Sequence, residues 1–455
     1  MIKRNMLSYL QIWKNKPHRK PMILRGARQV GKSSLVRAFA QESFKNLAEL
    51  NFEAHPEDAD LILKTNSPAE SIKLLSARLK TPIVAGETLL FLDEIQARPE
   101  LIAALRYWHE EVPNLHIIAA GSLLEFALST AEFSMPVGRV EYCFLGPLSF
   151  SEYLGGVGEE QLAILLENFH WGDSWPVSIH KQLLRHLKDY WIVGGMPEAV
   201  STFATQKAYS PVEEIKRSIV ATYQDDFRKY GLKINNELLR RVYQRAPTLV
   251  GQRAKFVEYS REAPAAQINK ALDLLTQAKV LTRARHTSGN GIPFGAEAHN
   301  TLCKYIFVDI GLQLTLCDLG PLALEQVEDL NLINGGSLAE QFIGQHLLYA
   351  KAPYIEPELY YWERTKRNAS AEIDYLITHD ALIVPIEVKS GSTGRMQSLR
   401  VFLSEKRAPY AVRFSTTAPV RTQLQNSELI SLPLYFVEQT VRLLSEIQKP
   451  GRKDG

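Results

Sequence analysis

Gly26-Ala27-Arg28-Gln29-Val30-Gly31-Lys32-Ser33 follows a strand-like stretch, Pro21–Arg25. The pattern G-x-x-x-x-G-K-[ST] in that setting is what polyphosphate binding requires. A strand delivers a glycine-rich turn whose backbone N–H groups wrap the phosphates. The helix that follows, with Ser34 in its first turn, aims its positive end at the charge. Lys32 reaches the terminal phosphates and the Ser33 hydroxyl ligates Mg²⁺. Downstream, Thr88–Leu92 is an uncharged run suited to a strand buried on both faces, and Asp93 and Glu94 stand at its end. Asp93 would hold the Mg²⁺ shell and Glu94 would polarise the attacking water. An acidic pair after a strand also serves as a helix cap. Together the two motifs imply hydrolysis of a nucleoside triphosphate, with ATP and Mg²⁺ as cofactors.

A second group of chemical residues lies near the other end of the chain. Ala371–Ile377 and Leu382–Lys389 read as strands joined by the turn Thr378–Ala381. Alternation puts Glu372 and Asp374 on one face, as it does Glu387 and Lys389. The hairpin register brings Asp374 near Glu387, and Glu340, on a helical stretch from Ser337 to Leu348, completes the set. Crowded carboxylates repel one another unless a cation sits between them, and Mg²⁺ suits such a site. Lys389 would then orient water or stabilise phosphate charge. The alternative is a salt-bridged edge hairpin in which Lys389 neutralises Glu387, since Pro385 cannot donate to a ladder and favours an edge. From Lys389 to Arg413, Arg395 among them, there are six basic residues and one acidic. That is either a phosphate-tracking surface or a solvated helix face.

The elements that must position these groups fall into successive blocks. Pro21–Arg25, Ala48–Phe52, Thr88–Leu92, His116–Ala120 and Tyr142–Leu145 read as strands separated mostly by helices, which predicts a mainly parallel sheet covered on both faces. The fourth strand runs into Gly121-Ser122, where Ser122 either senses the γ-phosphate or is a turn serine. Arg139, in a loop before the fifth strand, either reaches a neighbouring subunit's nucleotide or pairs with a surface carboxylate. The pattern is then helical to about Tyr230, with Gly194-Gly195 and Pro197 marking a rigid turn. From Asn235 to Ile310 it reads as a winged helix with wing strands Val280–Arg285 and Lys304–Val308. Between Gly251 and His286 there are seven Lys or Arg against three acids, a modest excess for DNA contact.

With 455 residues, net charge +3 and 45% hydrophobic residues, the composition is that of a multidomain globular protein, and any nucleic-acid surface must be local. Cys143, Cys303 and Cys317 are scattered, which argues against a disulfide scaffold or zinc site and fits a reducing cytoplasm. No apolar run is long enough to span a bilayer, so no membrane partner is expected.

Taken in order, these motifs, with Gly194–Pro197 between them, resemble a bacterial and archaeal family that pairs an AAA-type ATPase core with a C-terminal domain called DUF4143. The resemblance spans nearly the whole chain. It implies an α/β fold: a P-loop AAA-type ATPase core over 1–155, a helical lid over 156–232, a winged-helix domain over 233–320, and a restriction-endonuclease-like α/β domain over 321–455. It implies Ser122 as sensor and Arg139 as arginine finger, hence a homo-oligomer such as a ring. The late motifs are similar to the PD-(D/E)XK nuclease core, with Asp374, Glu387 and Lys389 as its acids and lysine and Glu340 as the helix-borne acid. Gly194–Pro197 is similar to a turn of STAND-type signalling ATPases, placing Pro197 near adenine. Three functions are compatible with this set: an ATP-driven machine acting on DNA, a nucleotide-dependent switch that assembles with proteins, and a metal-dependent nuclease gated by the ATPase.

Overall fold

The computed structural model describes residues 2–122, 124, 126, 138–227, 235–320, 336–364, 371–389 and 396–448. Arg395 and the expected boundary at 232/233 lie outside them. The N-terminal region is built on five strands, β1 (Met22–Arg25), β2 (Asn46–Asn51), β3 (Thr88–Asp93), β4 (His116–Gly121) and β5 (Glu141–Phe144). They form one parallel sheet in the order β2-β3-β4-β1-β5. Strand alternation divides the side chains between two cores. Leu24, Phe91 and Ile118 pack with Val36 and Phe39, whereas Ile23, Leu92 and Ile117 pack with Leu105 and Trp108. The helix Lys32–Ser43 lies against the first face because Leu35, Val36, Phe39 and Ala40 recur at helical spacing.

Helices Phe150–Gly156, Val177–Val193, Pro197–Gln206 and Tyr209–Asp226 follow, then Asn236–Arg245, Phe256–Tyr259 and Ala265–Gln277. Strands β6 (Leu281–Thr287) and β7 (Ala298–Phe307) form an antiparallel hairpin. Its strands were expected as a wing. In the structure β6 also pairs in parallel with β8 (Leu359–Glu363), so the hairpin is the end of a larger sheet. That sheet continues through β9 (Glu372–His379), β10 (Leu382–Val388), β11 (Tyr410–Ser415), β12 (Val420–Leu424) and β13 (Ser427–Pro433), in the order β12-β13-β11-β10-β9-β8-β6-β7.

The edge position expected from Pro385 is corrected by this topology. β10 is interior, flanked by β9 and β11. Pairing with β11 begins only at Ile386, so Pro385 stands one residue before that ladder. One apolar cluster runs from Leu24 and Phe39 through Tyr190 and Ile310 to Ile386 and Phe414, so the two sheets share a continuous core. Among the described residues no helix is long and apolar enough to cross a membrane.

Candidate functional site: a phosphate turn and a distant acidic cluster

The turn between β1 and the helix Lys32–Ser43 is shaped for close approach. Gly26 (φ +157°) abuts the exit of β5, where a Cβ would lie 2.2 Å from the Leu145 carbonyl oxygen. Gln29 and Gly31 both have left-handed backbones, at φ +63° and +92°. Lys32 is buried and its Nζ donates to the carbonyls of Gly26 (3.0 Å) and Ala27 (2.8 Å), folded back over the turn. Ser33 Oγ donates to Asp93 Oδ2 at 2.9 Å, across from the end of β3. This hydroxyl–carboxylate pair is an all-oxygen donor set and fits Mg²⁺. Burial raises the Asp93 pKa, and the neighbouring Glu94 adds to the rise.

Glu94 has φ +51°, a conformation that non-glycine residues rarely hold, and it makes no capping hydrogen bond. Its carboxylate accepts from Gln96 Nε2 at 2.5 Å. Lys32, Ser33, Ser34, Glu94 and Ser122 line one cavity of about 490 Å³ together with Arg28, Gln29, Gly31 and Pro197. Its apolar wall is Ile2, Leu7, Leu35 and Leu148, and Arg4 reaches in from the N-terminal segment. Arg4 also braces the turn, donating to the carbonyls of Val30 (2.9 Å) and Gly146 (2.8 Å). Arg28 contacts Asp226 at the end of the helix Tyr209–Asp226.

Pro197 reaches the cavity from the turn Gly194–Met196. Gly194 has φ +79°, and a Cβ there would lie 2.2 Å from Asp309 Oδ1. The Gly195 N–H donates to Asp309 Oδ2 at 2.6 Å, and its carbonyl accepts from Leu148 N at 2.6 Å. Arg139 is not brought to this cavity. It precedes β5, at the opposite end of the sheet from the phosphate turn, and pairs with Glu110 at 2.8 Å.

The C-terminal acids do converge. The register Ile386↔Tyr375 sets Glu387 opposite Asp374, and the Val388 N–H donates to Asp374 Oδ2 at 2.7 Å. Glu340 arrives from the helix Ser337–Leu348. Carboxylate oxygens of Glu340, Glu372 and Asp374 lie within 4.8 Å of one another. Lys389 pairs with Glu387 at 2.5 Å, while Glu387 Oε2 is buried and accepts no hydrogen bond. Burial pushes the pKa values of Glu340, Asp374 and Glu387 up. Lys304, on β7, enters the same group: its Nζ lies 3.0 Å from Glu340 Oε1 and contacts Glu372 Oε1. Burial alone would lower the Lys304 pKa, but the carboxylates of Glu340, Asp374 and Glu372 more than offset it, and the net shift is upward.

Three family models match the chain. The one described as AAA domain covers residues 18–154, and the one described as Domain of unknown function (DUF4143) covers 335–435. The chain carries an AAA domain and a C-terminal DUF4143 domain. A third, Domain of unknown function (DUF8612), matches 184–323 between them. No curated protein matches the chain. Solved structures are similar over part of it, among them the following. Aeropyrum pernix ORC2 (ADPNP–ADP complexes) is 13% identical with TM-score 0.33, covering 70% of this chain and 93% of that one. Thermotoga maritima RuvB, a Holliday junction branch migration motor, is 14% identical with TM-score 0.26, covering 61% and 87%. C. elegans PCH-2 is 12% identical with TM-score 0.28, covering 45% of this chain and 62% of that one.

Every nucleotide-site residue expected from the sequence except Pro197 lies inside the AAA domain, and Glu340, Asp374, Glu387 and Lys389 lie inside DUF4143. Sequence reasoning missed Arg4, Gln96 and Lys304. The signal for Lys304 was present: it shares a strand face with Ile306 and Val308, and a lysine on an apolar face needs a buried partner.

Proposed function

We propose that the AAA domain hydrolyses ATP with Mg²⁺ and that the chain, as a homo-oligomer, uses the cycle to act on DNA. The observation that carries this reading is the convergence of Lys32, Ser33 and Glu94 on one cavity at the ends of β1 and β3, with Asp93 hydrogen-bonded to Ser33 just behind its wall. Its volume of about 490 Å³ is in the range of small-ligand sites. Backbone N–H groups of the turn cradle the phosphates, and Lys32 leaves the carbonyls of Gly26 and Ala27 to meet the terminal ones. Ser33 and Asp93 would hold Mg²⁺, which would supply positive charge against the phosphates. Glu94, fixed by Gln96, takes the proton of the attacking water. Ser122 senses the γ-phosphate, and the base lies against Leu148 and Pro197. Arg139 stands at the far end of its own sheet paired with Glu110, so as an arginine finger it would have to leave that pair and reach a neighbouring chain's nucleotide. The candidate DNA contact is a surface groove lined by Arg241, Arg245 and Arg261 together with Glu258 and Glu262, in which Arg241 is paired with Glu262.

A second reading, a switch that assembles with proteins, is favoured by a different observation. Five of the seven basic residues between Gly251 and His286 are ion-paired: Arg253, Lys255, Lys279, Arg283 and Arg285. Phosphate binding would have to break those pairs. ATP turnover measured alone and with single-stranded, duplex and forked DNA separates the two. Stimulation by any of them that weakens steeply with salt supports the DNA reading. Unchanged turnover with all three, together with stable ATP-bound oligomers, removes DNA and leaves the switch.

A further inference from the structure

The acidic cluster of the C-terminal sheet already contains a cation. Lys304 comes from β7, in the segment matched by DUF8612 rather than by DUF4143, and its side chain is 1% exposed. It contacts Glu340 and Glu372 directly. With Asp374 these form the trio whose oxygens are close enough to share a metal ion. A restriction-endonuclease-like fold calls for a divalent ion against such acids, and the donors are of the right chemical kind. The position is not open to one. Mg²⁺ needs its oxygens at about 2.0–2.1 Å in a near-octahedral shell, which an ammonium lodged among the same carboxylates prevents.

The remaining acid does not rescue the site. Glu387 is paired with Lys389, leaving Oε2 as its one unsatisfied oxygen. The chain also closes over Glu340. Ala254 N donates to the Cys303 carbonyl at 2.8 Å, and Arg253 bridges to Lys304 in the backbone. Gly251 (φ +76°) comes so close that a Cβ would lie 2.4 Å from Glu340 Oε2. Three crowded, half-buried carboxylates without a counter-charge repel one another, and Lys304 supplies that charge from within the chain.

We propose that Lys304 is the resident cation of this cluster, neutralising the acids in place of a divalent metal and closing the C-terminal sheet to metal-dependent phosphodiester hydrolysis. The ATP site takes no part, so either reading can fail without the other.

Mn²⁺ is the probe, because carboxylate sites that take Mg²⁺ also take Mn²⁺ and free Mn²⁺ is counted directly by electron paramagnetic resonance. The titration uses nucleotide-free, full-length protein carrying Ser33→Ala, which removes a ligand of the ATP site. The expected result is no Mn²⁺ binding that Asp374→Asn can abolish. Adding Lys304→Met creates one saturable Mn²⁺ site per chain where there was none, and Asp374→Asn removes it again. Saturable Mn²⁺ binding by the chain that retains Lys304, lost on Asp374→Asn, overturns the proposal. So does a folded Lys304→Met variant that gains no site. If Lys304→Met does not fold, the comparison with Lys304 in place decides alone. Mg²⁺-dependent nicking of supercoiled plasmid by the wild-type chain, lost on Asp374→Asn, overturns the proposal equally.

Discussion

Glu94 is held in a left-handed backbone conformation at the end of β3, which costs a non-glycine residue on the order of 1–3 kcal/mol. The carboxylate so placed faces the nucleotide cavity and is steadied by Gln96 Nε2. Gln96 does not line that cavity, so in the proposed reaction it is a positioning residue. Gln96→Ala is expected to lower kcat on the order of tenfold while leaving KM for ATP within about twofold, because general-base efficiency depends on geometry. Steady-state ATP kinetics check this; an equal rise in KM with kcat intact would show that Gln96 only supports binding. The phosphate turn was legible because its chemistry is contiguous, with Gly26, Gly31, Lys32 and Ser33 spelling the loop themselves. Gln96 sits two residues from Glu94, yet the motif does not say that its amide turns back onto that carboxylate, and Lys304 signals the need for a buried partner without naming one. Lys304 meets Glu340 and Glu372 across a sheet and a helix, and neither spacing nor composition records that contact.

At the scale of elements, the interior strands β1, β3 and β4 were readable from uncharged runs, since a strand buried on both faces tolerates no charge until its end, whereas the edge strand β2 carries Glu49. Sheet membership was harder to read. β6 and β7 carry the alternation of a hairpin, but the parallel pairing of β6 with β8 is a long-range event. Pro385 misled because the rule concerns ladder bonds, and its position falls just outside the β11 ladder. The junction between the AAA domain and the C-terminal elements also has a titratable seam. Glu438 Oε1 accepts from Ser151 N (2.8 Å) and Ser151 Oγ (3.1 Å), at the start of the helix Phe150–Gly156. Burial, opposed by those hydrogen bonds, pushes its pKa from 4.5 up to about 6. A carboxyl raised in the folded state contributes stability below its unfolded pKa, and that contribution is lost as pH rises through the folded value. Glu438→Gln keeps the acceptor oxygen and removes the titration. Its stability relative to wild type should therefore rise by about 2 kcal/mol between about pH 4.5 and pH 7. Denaturant unfolding at the two pH values measures the difference, and a pH-independent difference would show that the seam does not titrate.

For the whole molecule, one core links the nucleotide cavity to the C-terminal sheet. The route is specific: Pro197 lines the cavity, Gly194 and Gly195 close on Asp309, and Asp309 follows directly on the strand that carries Lys304. A change at the phosphate turn therefore has a packed path to the acidic cluster. That path begins at the proposed ATP site. The measurement that tests it most directly is Mg²⁺-dependent phosphate release from ATP by the wild-type chain, Lys32→Ala and Glu94→Gln, with bound nucleotide identified after each run. The account predicts turnover by wild type and a loss on the order of 10²–10³ or more in both variants, with intact ATP retained by Glu94→Gln. Wild-type rates in both variants, or a wild-type chain that neither binds nor cleaves ATP, would contradict it.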